Sequence, residues 1–109
     1  MKTMRKWSDE IHQNAVEHGW WENGSGNIPE LLMLIVSEVS EALEAFRRDE
    51  METYYTPEGK PEGFWTELSD AVIRIMDLAG AYNVDLEHII ALKHEYNKTR
   101  SYRHGGKRA

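Results

Sequence analysis

Apolar residues recur every three or four positions along most of this chain, which is the spacing of helix faces, and no stretch alternates as a strand does. Four helices follow. The first spans residues 3–18, with Met4, Trp7, Ile11 and Ala15 on one face and Gly19 as its stop. The second opens at Asn27-Ile28-Pro29-Glu30. Asn27 can cap, Pro29 suits a first turn, and Glu30 sits at the capping-box position. This helix runs to about Asp49. The third covers about Pro61 to Ala81, with Gly80 and Asn83 weakening its end. Asp85 caps the fourth, with Val84 and Ile89 placed as a staple, and that helix continues to about Asn97. Residues 20–27 form a turn-rich connection that opens on Trp20 and Trp21, and residues 50–63 form a polar connection with two Pro and two Gly. The fold expected is all-α, a four-helix, bundle-like single domain over residues 1–109, with a basic and mobile tail at about 98–109.

Two helices carry acid in the middle of an apolar stripe. On the second, Leu31, Leu34, Ile35, Ala42 and Ala45 share a face with Glu38 at its centre, and Glu41 follows one turn on. On the third, Glu67 lies between Phe64, Ala71 and Leu78, with Asp70 one turn later. A carboxylate in an apolar stripe is costly unless something positive meets it. The neighbouring alanines suggest room where an ordinary core is filled. Each helix also has a second apolar arc: Leu32, Val36, Val39, Leu43 and Phe46 on one, and Leu68, Val72, Ile75 and Ala79 on the other. An arc that wide belongs to a bundle centre or a subunit interface, so the chain is expected to self-associate.

Charge narrows the possible partners. The net charge is −6, divided between a basic end and an acidic body. From Lys93 onward there are six Lys/Arg and one Glu, against seven basic and eighteen acidic residues before it. An acidic body does not suit a nucleic-acid polymer. No apolar run approaches the roughly 20 residues of a membrane span, and the first residues lack the apolar core of a signal peptide. The expected location is the cytoplasm. With no cysteine, any metal must be held by carboxylate, imidazole, amide or water.

Paired carboxylates on two facing helices suit hard divalent cations, and Mg²⁺ commonly bridges to substrate phosphates. The alternative is a buried ion-pair network, for which Arg74, one turn beyond Asp70, supplies a cation. On the fourth helix, Lys93, Asn97 and Arg100 fall on one side and could hold phosphate or sugar oxygens. Taken alone, they read equally as an exposed helix face. Trp20 and Trp21 could stack on a base or close the end of the core.

The order of these motifs resembles the MazG-like branch of the all-α nucleoside triphosphate pyrophosphohydrolases. That family carries E-E-x-x-E and, after a spacer, E-x-x-D on two helices. Here the halves are Ser37-Glu38-Val39-Ser40-Glu41 and Glu67-Leu68-Ser69-Asp70. Lys93-x-x-x-Asn97-x-x-Arg100 is similar to the family's downstream K-x-x-x-N-x-x-R element, and the likeness extends over nearly the whole chain. Ser37 departs from the pattern, standing where the first Glu is expected.

The resemblance implies hydrolysis of a (deoxy)nucleoside triphosphate to the monophosphate and pyrophosphate, through water attack at the α-phosphorus. Glu38, Glu41, Glu67 and Asp70 would bind Mg²⁺ or Mn²⁺, with Glu38 and Glu41 as catalytic carboxylates and Glu41 a candidate proton acceptor. Lys93, Asn97 and Arg100 would contact the substrate, as would Trp21; Trp20, Tyr54 and Tyr55 are further stacking candidates, and His12 could approach the substrate. Family members assemble as dimers or tetramers. Two other readings compete. One is a non-catalytic helical module that binds a partner, its acids held in ion pairs. The other is a di-iron carboxylate bundle, but such bundles use Glu-x-x-His pairs, and this chain has Asp9-x-x-His12 and Asp85-x-x-His88 instead.

Overall fold

The computed structural model describes residues 1–22 and 27–100. The expected mobile tail, from residue 101 on, lies outside the described residues, as does part of the first connection. The order is α1 (Met4–Glu17), α2 (Ile28–Arg47), β1 (Tyr54–Tyr55), β2 (Pro61–Glu62), α3 (Phe64–Ala81) and α4 (Leu86–Lys98). The chain is thus mostly helical, as its periodicity requires, and among the described residues no helix is long and apolar enough to cross a membrane.

The helix ends follow from local chemistry. Asn27 Oδ1 accepts from the Glu30 amide at 3.1 Å, and Asp85 Oδ1 accepts from His88 at 3.2 Å. Gly19, just past α1, takes φ +86°, the left-handed conformation of a helix stop. At the start of α1, Thr3 caps by accepting from the Lys6 amide.

Residues 50–63 are not the plain connection expected. Tyr54 pairs with Glu62 and Tyr55 with Pro61 in an antiparallel hairpin. Its turn closes through Thr56 N–H to the Lys60 carbonyl at 2.9 Å. Two-residue strands are too short to show a period of two, which is why the pattern was silent there. The chain then enters α3 through Gly63, at φ +123°. A Cβ there would lie 2.6 Å from the Glu52 carbonyl oxygen, so only glycine fits. This tight passage sets Glu62 beside the first turn of α3.

The centre of the packing is α3 rather than α2. α2 and α1 both pack against it, while α4 touches α1. The buried residues among those described are small: Ala42, Ala45, Ala71, Ala79, Ser8 and Gly63. The alanines beside the acids were expected to open space; instead they let the helices meet. Where α1 crosses α3, Gly80 is essential. A Cβ on it would come within 2.8 Å of both the Ser8 carbonyl oxygen and His12 Cβ. The helix ends at Ala81, as expected, and Gly80 just before that end serves this close approach. Gly80→Ala is therefore expected to destabilise by about 1–3 kcal/mol through overpacking, against a gain in helix propensity of no more than ~1 kcal/mol. A urea melt with an unchanged or higher midpoint would contradict the crossing.

No large side chain is fully buried among the described residues. The arc Leu32, Val36, Val39, Leu43 and Phe46 is between 47% and 59% exposed. From Glu87 to Arg100, α4 and its end are exposed throughout. One chain therefore leaves the α2 arc open, whereas the α3 arc is partly covered, with Ala79 buried and Leu68 half-buried.

Candidate metal centre

The stripe of α2 that carries Glu38 faces α3, and the stripe of α3 that carries Glu67 and Asp70 faces back. Glu38, Glu67 and Asp70 each offer one carboxylate oxygen, and these oxygens lie within 4.8 Å of one another. All three residues are half-buried. Glu67 belongs to the first turn of α3, where the helix dipole favours negative charge.

The electrostatics show how crowded the anions are. Burial pushes the Glu67 carboxyl up to about 7, helped by its hydrogen bond to Glu62 and by the charges of Glu62, Asp70 and Glu38. Burial likewise raises Asp70, with Glu38 adding to it and Arg74 and Lys60 working against it. Two cations answer the cluster. Arg74 Nε donates to Glu38 Oε1 at 3.2 Å, and Lys60 Nζ lies 2.9 Å from Glu62 Oε1. The hydrogen bond from Lys60 lowers the Glu62 carboxyl. Burial first, and then the three carboxylate neighbours, thus favour the protonated form of Glu67 when no metal is bound. Three converging hard oxygens with unmet negative charge fit Mg²⁺ or Mn²⁺.

Glu38 and Asp70 also line a cavity of about 420 Å³ with Arg74, Asp77, Trp20 and Trp21. The two tryptophans were expected either to stack on a ligand or to close the core. They do stand at the carboxylates: the Arg74 guanidinium carbon lies 5.6 Å from the centre of an exposed Trp20 ring. Trp21 is held in place by Asp77, its indole N–H donating to Oδ1 and Oδ2 at 3.1 Å each. His12 Nδ1 reaches the same Oδ1 at 2.8 Å, and its ring meets Trp21 edge-on at 5.2 Å.

The remaining candidates lie elsewhere. Glu41 is exposed, one turn along α2 and outside the converging trio. Lys93, Asn97 and Arg100 are exposed on or just beyond α4, and none lines the cavity. Lys93 Nζ instead rests 5.1 Å from the Tyr96 ring centre. Tyr54 and Tyr55 are exposed on β1 and do not line the cavity either. Ser37, the departure from the motif, is exposed and donates to the Leu34 carbonyl at 2.7 Å, so it takes no part in the trio.

Two functional candidates went unnoticed in the sequence. Asp77 had a signal, since it stands two helical turns from Asp70 on the same face. Glu62 had none, because only the hairpin brings it to Glu67. Compared with known proteins, no protein-family model, curated protein or solved structure matches the chain.

Proposed function

We propose that this chain is a MazG-like, metal-dependent pyrophosphohydrolase that converts (deoxy)nucleoside triphosphates to the monophosphate and pyrophosphate. The observation that carries the reading is the convergence of Glu38, Glu67 and Asp70 from two helices, at a cavity walled by Arg74, Trp20 and Trp21. Glu38, Glu67 and Asp70 would hold Mg²⁺ or Mn²⁺. When bound, such an ion neutralises phosphate charge and acidifies a water. The residues supply the rest. The carboxylates fix where the phosphates sit, and Arg74 adds a cation beside them. Water oxygen bonds to the α-phosphorus, the bridge to the β-phosphate breaks, and pyrophosphate leaves. Glu41, exposed at the next turn, is the proposed proton acceptor and a further ligand. Trp21 walls the nucleoside end of the cavity.

Lys93, Asn97 and Arg100 remain proposed contacts to phosphate or sugar. Since none of the three lines the cavity within one chain, they would reach it from a second copy. The open apolar arc of α2 supports that assembly, a homodimer or homotetramer. The proposed location is cytoplasmic.

Incubating the chain with each (deoxy)nucleoside triphosphate and Mg²⁺, then separating products by anion-exchange chromatography, tests the reading. Monophosphate and pyrophosphate in equal amounts are expected. Diphosphate and orthophosphate would refute attack at the α-phosphorus. The Arg74–Glu38 ion pair favours a second reading, a non-catalytic partner-binding module. Calorimetric titration with Mn²⁺ separates the two, since that module predicts no binding. The di-iron alternative gains no support, because the trio contains no histidine and His12 is engaged by Asp77.

A further inference from the structure

Asp77 has no place in the chemistry just described, yet it is the most engaged carboxylate beside the cavity. Both of its oxygens accept the Trp21 indole N–H, and Oδ1 also takes His12 Nδ1. An ionised carboxylate only accepts, so the His12 Nδ1 must carry the proton and donate. The Asp77 and His12 side chains are only 18% and 24% exposed. Three elements thus meet at one carboxylate: α1 through His12, the segment after it through Trp21, and α3 through Asp77. With its N–H occupied and an imidazole edge against it, the Trp21 ring cannot swing freely. Asp77 also stands seven residues beyond Asp70 on one helix, about 10 Å along the axis.

We propose that Asp77 is a positioning residue that locks Trp21 as a stacking wall for a flat heteroaromatic ring, the nucleobase end of a nucleotide whose phosphates face Glu38 and Asp70. The inference rests on the proposed nucleotide reading and deepens it. The indole's polar edge is spent on Asp77, so at this wall the ring is recognised through its face rather than by hydrogen bonding to its edge. Stacking of that kind tolerates every base.

The test uses the full chain with Mg²⁺ and the four common nucleoside 5′-monophosphates, followed by tryptophan fluorescence. Wild type is expected to bind them all with affinities within about tenfold of one another. Asp77→Ala is expected to weaken binding at least about tenfold, the scale of losing a base–aromatic stack. Trp21→Phe keeps an aromatic face but has no N–H to hold. In that background, Asp77→Ala should cost less than about twofold, the non-additivity of a coupled pair. Mn²⁺ affinity, measured by calorimetry with the metal alone, should stay within about twofold in Asp77→Ala. Should that variant fail to fold, Asp77→Asn, which keeps one acceptor oxygen, should show a smaller loss with the same coupling to Trp21.

Additive losses, a parallel fall in Mn²⁺ affinity, or no monophosphate binding by wild type would overturn the proposal. Monophosphate binding without triphosphate hydrolysis would sink the pyrophosphohydrolase reading and leave the clamp standing. Hydrolysis with an unchanged KM in Asp77→Ala would do the reverse.

Discussion

Replacing Glu67 by Gln is expected to lower Mg²⁺-dependent turnover by on the order of 10³-fold while stabilising the metal-free protein above neutral pH. The two effects share one cause. Glu67 is the member of the trio most burdened by its surroundings: burial, the Glu62 hydrogen bond and the charges of Glu62, Asp70 and Glu38 all disfavour its ionised form. The metal-free folded chain keeps this proton up to about pH 7, whereas the unfolded chain loses it near 4.5. The folded state therefore binds more protons between those values. The stability contributed by this group is complete below about pH 4.5 and is lost as pH rises through about 7.

Glutamine imitates the protonated form at every pH and escapes that loss. In EDTA, thermal melts of wild type and variant should nearly coincide at pH 5 and separate at pH 8, with the variant higher. Mg²⁺ should then raise the wild-type midpoint at pH 8 by mass action, and more weakly as pH falls because the proton competes. The variant, lacking the anion, should respond little. A variant less stable than wild type at pH 8 without metal would show that Glu67 is not held against its own charge.

Val39→Asp is expected to have a large effect at a position that looks harmless in one chain. Val39 is half exposed at the middle of the open α2 arc. Surface changes of this sort usually fall within about ±0.5 kcal/mol. A carboxylate buried without a partner at a subunit interface costs several kcal/mol instead. The interface outcome is the expected one, because among the described residues only four alanines, Ser8 and Gly63 are buried within the chain. A domain this small needs a larger apolar core than that. Light scattering should give the mass of two or four chains for wild type and a smaller assembly for Val39→Asp, with a lower melting midpoint that depends on concentration. One-chain mass for both proteins, with equal midpoints, would contradict the assembly.

The sequence carried the local decisions well. Periodicity placed four helices, and the side chains of Asn27 and Asp85 mark two starts through their own hydrogen bonds. The stripe argument also brought Glu38, Glu67 and Asp70 together correctly, since helix phase decides which face meets which. It could not separate Glu41 from the others, because one turn along a helix changes burial without changing the pattern. Contacts between distant residues were hidden for a different reason. Asp77 meets His12 across 65 positions and Trp21 across 56, and such pairings leave no short-range trace. Gly80 read as a weak helix end, yet what it provides is an approach between α1 and α3 that only the packed structure displays.

The central claim concerns which phosphorus is attacked, and ¹⁸O-labelled water reads that directly. With Mg²⁺ and a triphosphate substrate that the chain turns over, one ¹⁸O should appear in the nucleoside monophosphate and none in the pyrophosphate. Label in pyrophosphate or orthophosphate would place the attack on another phosphorus and contradict the account.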